Sequence, residues 1–493
     1  AGTVQAATAS SVSLASDSAP DDNAYNGMQV EISGGKGKGQ SRTVTAYDGT
    51  GRAASLSVNW DIIPDHTSLY RVTDNRDYAR ECLRLSIEES KIITTPDKSL
   101  DGLNRYYGTS HIEKELPFQG AGKITLTSGL KNVRGTGVDF TTSLSVGDQI
   151  QCGKQIRTVA KIVSGQELLA ETEWDSDAGS QDYIICPRNG LDHVGSFLYR
   201  TGLTREQLDN LFIQDLNQEE LDGGKADKFF INNTGEPEKP VYIHTVFDKT
   251  DPGNHCEKIV GLTFSRLDRI NRFIRLKAVL DWSYADLDWA LVSIGAGEID
   301  RTALVNIAGI KLFRDTMRLP VDVLCSFWSD MKTTGRKNTA GYQDLFDRVF
   351  NNPALLDGKN PYDTNISPIP FDPSRPMNWS IDDRTGQNAT IRSRLTGALL
   401  VSDNDLTIVA QYLQALLGKK GQPLEMNLTN MTWLYRLTKL PAVFGLKIDE
   451  YLTMQCLLYY PDSHYLDPPA GILKADMSHM TALNAWIKWL NNS

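Results

Sequence analysis

The stretch from Phe264 to Leu291, FSRLDRINRFIRLKAVLDWSYADLDWAL, constrains the fold more than any other, because every local signal in it points to two helices and a tight joint. At the helical period, Phe264, Leu267, Ile270, Ile274 and Ala278 share one face of the first helix, and Phe273, Leu276 and Leu280 share the opposite one. Two apolar stripes predict two packed neighbours. Ser283 then caps the second helix, and Asp286 completes a carboxylate version of the capping box whose charge suits a helix N-terminus. Leu287, Ala290 and Leu291 continue inward. Arg266, Arg269, Arg272 and Arg275 advance by threes, spiral around the first helix instead of forming one stripe, and read as solvated and ion-paired.

The joint recurs along the chain. Thr204 to Gln207 before Leu208, Ser402 to Asp405 before Leu406, and the looser Pro320 to Val323 before Leu324 repeat the order of helix, break, polar cap and acidic or amide residue. A fifth copy, Phe444 to Leu452, has Lys447 at the cap position. Repeated helix pairs that bury both faces predict a stacked helical body, an architecture that serves as a scaffold more often than as a catalyst. Further helices are expected at 388–400, 403–417, 429–440, 448–459 and 477–490.

The first part of the chain has another period. MQVEIS, SRTVTAY and ASLSVNW alternate apolar and polar residues and are separated by GGKGKGQ and DGTG, which suit hairpin turns. KITLTSG, QIRTVAKIV, ELLAETEW and YIICP repeat the theme. Arg42-Thr43-Val44 matches Arg157-Thr158-Val159, Trp60-Asp61 matches Trp174-Asp175, and Tyr70 matches Tyr183, which predicts a tandem pair of one β-fold with Trp60 and Trp174 in the two cores. The fold class is therefore α+β and multidomain: two small antiparallel β-modules followed by a large all-α stacked body. The expected divisions are a β-module at 1–73, a connector at 74–118 with one helix marked by Tyr78, Cys82, Leu85 and Glu89, a related β-module at 119–187, and a helical domain at 188–493. Irregular insertions fall at 225–255, with one strand in VYIHTVF, and at 351–379.

Composition narrows the function. With 493 residues, of which 40% are hydrophobic, the chain can bury more than one core. A formal net charge of -10 argues against a dedicated nucleic-acid surface. The six cysteines are scattered without a CxxC pair, so reduced thiols are expected. No run approaches the roughly 18 uncharged apolar residues of a membrane-spanning helix. The N-terminal AGTVQAATASSVSL has neither an initiator Met nor a signal-peptide pattern, which suggests a piece of something longer.

Candidate chemistry is sparse. Gly34 to Ser41 superficially suggests a phosphate loop, but no helix follows, and a hairpin turn is the better reading. His244, His255 and Cys256 fit no tetrahedral ligand spacing. The carboxylates Asp382-Asp383, Asp286 and Asp288 sit near helix starts, where the helix dipole accounts for them. The triplet Asn388-Ala389-Thr390 has meaning only in a glycosylating pathway. No GxSxG, HExxH or dinucleotide fingerprint occurs. The expectation is a chain with no catalytic residues, no cofactor and no metal.

The helical part resembles the α-helical shell of the A component of bacterial Tc (toxin complex) insecticidal toxins. The matching segments, in order, are 264–291, LPVDVLCSFW at 319–328, YQDLFDRVFNNPALL at 342–356, IRSRLTGALLVSDNDLTIVAQYL at 391–413 and MTWLYRLTKLPAVFGLKIDEYLTMQCLL at 431–458. The resemblance implies a secreted virulence protein, found at the bacterial surface before release, that works as one protomer of a homopentamer. Its shell surrounds a translocation channel, and its β-modules bind a host-cell receptor or glycan. A B-C cocoon supplies the toxic enzyme through regions not found in this chain, and no stretch here matches the channel, so membrane contact is expected only through that missing part. The same resemblance leaves receptor-binding residues unidentified. A second reading is a free-standing adhesin or phage-tail-like glycan-binding protein with a helical stalk.

Overall fold

The computed structural model describes residues 1–73, 75–212, 229–233, 240–247, 255–333, 344–356 and 370–459. The expected helix at 477–490 lies outside them. Two compact units share the chain. One contains Ala1–Arg84, Trp289–Ala296 and Arg301–Ser493, and the other contains Leu85–Asp288 and Gly297–Asp300. The helical region after residue 188 is thus divided between the units, and each β-module belongs to a different one.

The first unit opens with seven strands: β1 (Gly2–Thr3), β2 (Ala6–Ala7), β3 (Ser11–Ser13), β4 (Gln29–Gly34), β5 (Ser41–Asp48), β6 (Ala53–Leu56) and β7 (Leu69–Thr73). Their order across the sheet is β1-β7-β4-β5-β6-β3-β2. In the second unit β8 (Phe118–Gln119), β9 (Lys123–Leu126), β10 (Asn132–Thr136), β11 (Gln149–Cys152), β12 (Gln155–Ser164), β13 (Glu167–Ala170), β14 (Ala178–Gln181) and β15 (Ile184–Cys186) form a second sheet. Read from its β8 edge that sheet runs β8-β15-β11-β12-β13-β10-β9-β14, the same order with β14 added. The registers agree as well: Gln29 faces Thr43 and Gln149 faces Thr158. The offset between copies is 149 − 29 = 120 before the hairpin turn and 158 − 43 = 115 after it, so the first copy carries five extra residues in that turn. They lie in the Gly-rich segment that resembled a phosphate loop, which is a hairpin connection. Trp60 and Trp174 are buried in the two cores, with Tyr70 and Tyr183.

After β7 come α1 (Asn75–Cys82), α2 (Ile87–Thr94) and α3 (Leu100–Tyr107) where one helix and a polar connector were expected. The cause is local. Arg84 takes a left-handed φ of 57°, and Ser86 with Glu89 forms a capping box that starts a new helix. Glu89 therefore reaches back to the cap instead of marking a helix face. Ser99 caps α3, and Gly108 closes it at a φ of 62°.

In the second unit, α4 (Phe140–Ser143), α5 (Val194–Thr201) and α6 (Arg205–Leu211) are followed by the hairpin of β16 (Tyr242–Phe247) and β17 (His255–Val260). The insertion read at 225–255 thus holds its expected strand, β16, and the partner β17, which was not expected, begins at its last residue. Next come α7 (Phe264–Ala278) and α8 (Tyr284–Ser293), of which the residues from Trp289 on belong to the first unit. The Ser283–Asp286 capping box between them is present in both directions, at 3.0 and 3.3 Å, and the Thr204–Gln207 box starts α6.

The first unit continues with α9 (Arg301–Met317), α10 (Val321–Cys325), α11 (Leu345–Phe350), β18 (Asn378–Trp379), α12 (Gly386–Leu399), α13 (Asp403–Leu416), β19 (Leu424–Glu425), α14 (Leu428–Phe444) and α15 (Ile448–Tyr459). These helices bury one contiguous core that includes Phe327, Trp379, Leu413, Leu434 and Leu452. β18 pairs with β19, so the irregular 351–379 region ends in a strand. Ser402 caps α13 through the Asp405 amide. α14 runs a turn past Pro441, beyond the expected end at residue 440, and stops at Gly445 with a φ of 70°. Glu450 accepts from the Lys447 amide at 2.9 Å, so the acidic half of that joint forms although a cap side chain is missing.

Candidate functional site

Each β-module contains the same clamp, built from a glutamine, an arginine, a tryptophan and an aspartate. In the first, Arg42 on β5 lies 5.4 Å from the Trp60 ring centroid, donates to the Asn59 carbonyl at 2.9 Å and pairs with Asp61 at 2.7 Å. In the second, Arg157 on β12 lies 5.5 Å from the Trp174 ring, donates to the Glu173 carbonyl at 2.8 Å and pairs with Asp175 at 2.9 Å. Gln40 Oε1 accepts from the Asp61 and Ile62 amides at 2.8 and 3.0 Å, and Gln155 Oε1 accepts from those of Asp175 and Ser176 at 2.8 and 3.3 Å. The clamp turns a strand-borne pair of side chains into a fixed support for the loop after the tryptophan. Sequence reading found the arginine, tryptophan and aspartate but missed the glutamine, although Gln-x-Arg-Thr-Val stands in both copies.

Three of the four α7 arginines are buried, not solvated, and Arg275 is half-buried. Arg266, Arg269 and Arg272 are each 1% exposed, and Asp268 is equally enclosed. A polar helix face can be buried only if its donors find acceptors, and here backbone carbonyls and the carboxylates of Asp268 and Glu298 supply them. Arg266 donates to the Ile231 carbonyl. Arg269 donates to the carbonyls of Phe230 at 2.6 Å, Asn233 at 3.1 Å and Gly297 at 2.6 Å, and lies 3.7 Å from the Phe230 ring centroid. Arg272 pairs with Asp268 at 2.9 Å and Glu298 at 2.5 Å and reaches the Ile299 carbonyl at 3.2 Å. α7 is thus a hub that pins the segments 229–233 and 297–299. Burial pulls Arg269 down to about 10, which leaves it protonated at neutral pH. Burial alone would raise Glu298, but Arg272 and Arg269 outweigh it and hold the carboxyl below its ordinary value.

In the same unit Lys258 on β17 donates to Gln149 on β11 at 2.8 Å and pairs with buried Asp192 at 3.3 Å. Burial pushes the adjacent His193 below its ordinary value, with Asp192 opposing and Lys258 adding to the shift, so it stays neutral at pH 7. In the first unit Arg436 repeats the anchoring role, donating to Ser326 and Ser329 carbonyls at 2.9 and 3.0 Å.

His244 and Cys256 lie on β16 and β17, opposite Lys258 and Val246, and His255 is opposite Phe247. Among the described residues no three His, Cys, Asp or Glu side chains gather into a group that could hold a metal ion. Asp286 completes the helix joint. Asp288 is buried and accepts from the Phe230 amide at 2.9 Å, a tie to a neighbouring segment where the helix dipole had been the expected reason for it. Asp383 holds Thr385 and Asn388, while Asp382 is exposed. Asn388 is occupied by Asp383 and by the Ser380 amide. Burial raises the Cys152, Cys186 and Cys456 thiols, which makes them poor nucleophiles. Among the described residues no helix is long and apolar enough to cross a membrane.

No family model matches the chain. It is similar to Toxin subunit YenA1 of Yersinia entomophaga, with 25% identity over 245 residues, which is 47% of this chain and 20% of that protein. The chain therefore spans about a fifth of its relative's length. Among solved structures, the TcaA-TcaB structure of Yersinia pseudotuberculosis matches over 45% of this chain and 11% of its own, at 17% identity and a TM-score of 0.32. TcdA4 of Morganella morganii matches over 76% of this chain and 14% of its own, at 14% identity and a TM-score of 0.36. The chain is Tc-toxin A-component-like.

Proposed function

We propose that this chain is a part of a Tc-toxin A component in which the helices form a stretch of the shell around the translocation channel and the β-modules face a host-cell receptor or glycan. The similarity to Toxin subunit YenA1 along 245 residues carries the reading. The hub on α7 supports it, because a wall needs irregular segments fixed to rigid helices, and buried arginines do that here. In this role the chain is secreted and binds and encloses without catalysing a reaction. Its partners are further A protomers in a pentamer and, through other parts of the assembly, a B-C cocoon. Nothing in the fold or the comparisons favours the free-standing adhesin.

The test combines mass in solution, conductance across lipid bilayers at acidic, neutral and alkaline pH, and binding of labelled chain to insect cells. The expected result is a monomeric or weakly associated chain that forms no pores and binds cells saturably. Pores formed by these 493 residues alone, or an enzymatic activity removed by one point substitution, would overturn it.

A further inference from the structure

The duplication supplies an internal control, because two copies of one fold show which surface residues the fold needs and which it does not. After the clamp tryptophan, the second module has Ser176 and Asp177, both exposed, and Asp177 accepts from the Ser128 amide at 2.8 Å. At the corresponding positions the first module has Ile62 and Ile63, exposed by 53% and 43%. The backbone support is the same in both, since Gln40 holds the Ile62 amide as Gln155 holds that of Ser176. The fold therefore does not require isoleucine there. The second difference lies alongside. Where the second module turns at Gly153-Lys154, the first has the longer Gly34–Gln40 segment with Lys36 and Lys38.

The two differences are in contact. The Ile62 carbonyl accepts from Gln40 Nε2 at 2.8 Å, and a Cβ built on Gly37 would lie 3.0 Å from that carbonyl. A Cβ on Gly35 would meet the Thr67 carbonyl at 2.0 Å, so the loop lies directly against the 62–69 segment. Leu69, beside Gly34, is 51% exposed. Lys36 pairs with Asp65 at 3.6 Å and Arg42 with Asp61 at 2.7 Å, and Lys38 adds a further exposed cation. Counting Lys36, Lys38 and Arg42 against Asp61 and Asp65, the tip is positive by one, on a chain whose formal charge is -10. Aliphatic side chains held out beside a basic loop are the combination that partitions into the headgroup region of an anionic bilayer.

We propose that this tip of the first β-module docks on an anionic lipid surface, with Ile62 and Ile63 entering the interface and the lysine loop meeting the headgroups. The proposal does not rest on the toxin-component reading, and vesicle binding can fail while that reading stands. The test uses the full chain with vesicles of phosphatidylcholine alone and of phosphatidylcholine mixed with phosphatidylserine. Wild-type protein is expected to sediment with the mixed vesicles and to be released by salt. Giving the first module the residues of its sister, as Ile62→Ser with Ile63→Asp, should weaken binding by roughly tenfold or more. Lys38→Gln should reduce binding only to the anionic vesicles. Val146→Ser with Val163→Ser, which alters exposed valines of the second module, should change nothing. Each variant is checked by near-ultraviolet circular dichroism for an intact fold. Absence of wild-type binding to mixed vesicles, unchanged binding by the Ser-Asp variant, or cell attachment that needs protease-sensitive surface proteins and no lipid would each overturn the proposal.

Discussion

Arg157→Ala tests the idea that the clamp arginine acts through backbone carbonyls and not through its surface ion pair. Its side chain is 17% exposed, whereas that of its partner Asp175 is 61% exposed. The substitution removes two charge-assisted bonds, to the carbonyls of Glu173 at 2.8 Å and Ile156 at 2.9 Å. In this partly exposed setting they are worth roughly 1 kcal/mol each. The contact over the Trp174 ring adds about 0.5–1 kcal/mol. An exposed ion pair contributes at most about 0.5 kcal/mol. The sum is about 3 kcal/mol, or roughly a hundredfold in local opening. Hydrogen exchange suits this measurement, because a chain of two units need not unfold in one step. The amides of Val159, Ala170 and Glu171, which bond to Asp148, Lys131 and Thr158 carbonyls, report on the sheet around the clamp. Arg157→Ala should speed their exchange by about a hundredfold, and Asp175→Ala by less than about threefold. Arg42→Ala should do the same in the first module. Equal effects of Arg157→Ala and Asp175→Ala would refute the reasoning, since the ion pair would then be the main support.

Three further outcomes follow from named contacts. Arg272→Met leaves Asp268 buried without its partner and should destabilise the second unit by about 3–5 kcal/mol, while adding Asp268→Asn should recover part of that loss; denaturant midpoints of the single and double variants decide it. Asp344, the cap of α11, is raised from 3.8 to about 6, chiefly by burial and then by Asp347. Because the folded state holds the proton more tightly, its contribution is fully present below about pH 4 and is lost as pH rises through about 6. Asp344→Asn keeps a capping oxygen and should remove that decline, about 3 kcal/mol at most, in midpoints measured from pH 4 to 8. Ser283→Ala breaks the joint between α7 and α8 and should cost about 1 kcal/mol, read as a shift in melting temperature.

The helix joints were legible because capping is a local code: a serine or threonine and an acid or amide three residues on suffice, and the Thr204, Ser283 and Ser402 starts all form. The break at Arg84 escaped because Cys82, Leu85 and Glu89 keep a helical spacing across it, and only the Ser86 cap betrays the restart. The β17 strand escaped because His255-Cys256-Glu257-Lys258 has no apolar alternation; the strand is specified by pairing with β16. In the modules, alternation gave the strands, but the role of Gln40 and Gln155 depends on a loop folded back across the sheet, a contact no period encodes.

The arginines of α7 show most clearly what a period leaves out. Steps of three spiral around a helix, and charged residues are ordinarily exposed, so solvation was the natural expectation. What decides the matter is the accounting of backbone groups elsewhere. Segments such as 229–233 and 297–299 have no ladder of their own, and their carbonyls must find donors once they are packed against a helix. A guanidinium offers five donors in a rigid fork, enough to serve several such carbonyls from one side chain. Arg42, Arg157, Arg269, Arg272 and Arg436 all do so. Lysine, with a compact ammonium and no fork, cannot hold carbonyls as far apart as those of Phe230 and Gly297 at once. The arginine fork turned onto the backbone is therefore the device by which this chain fixes irregular backbone to regular elements, and it is read from the neighbours of a residue more than from its own position in a pattern.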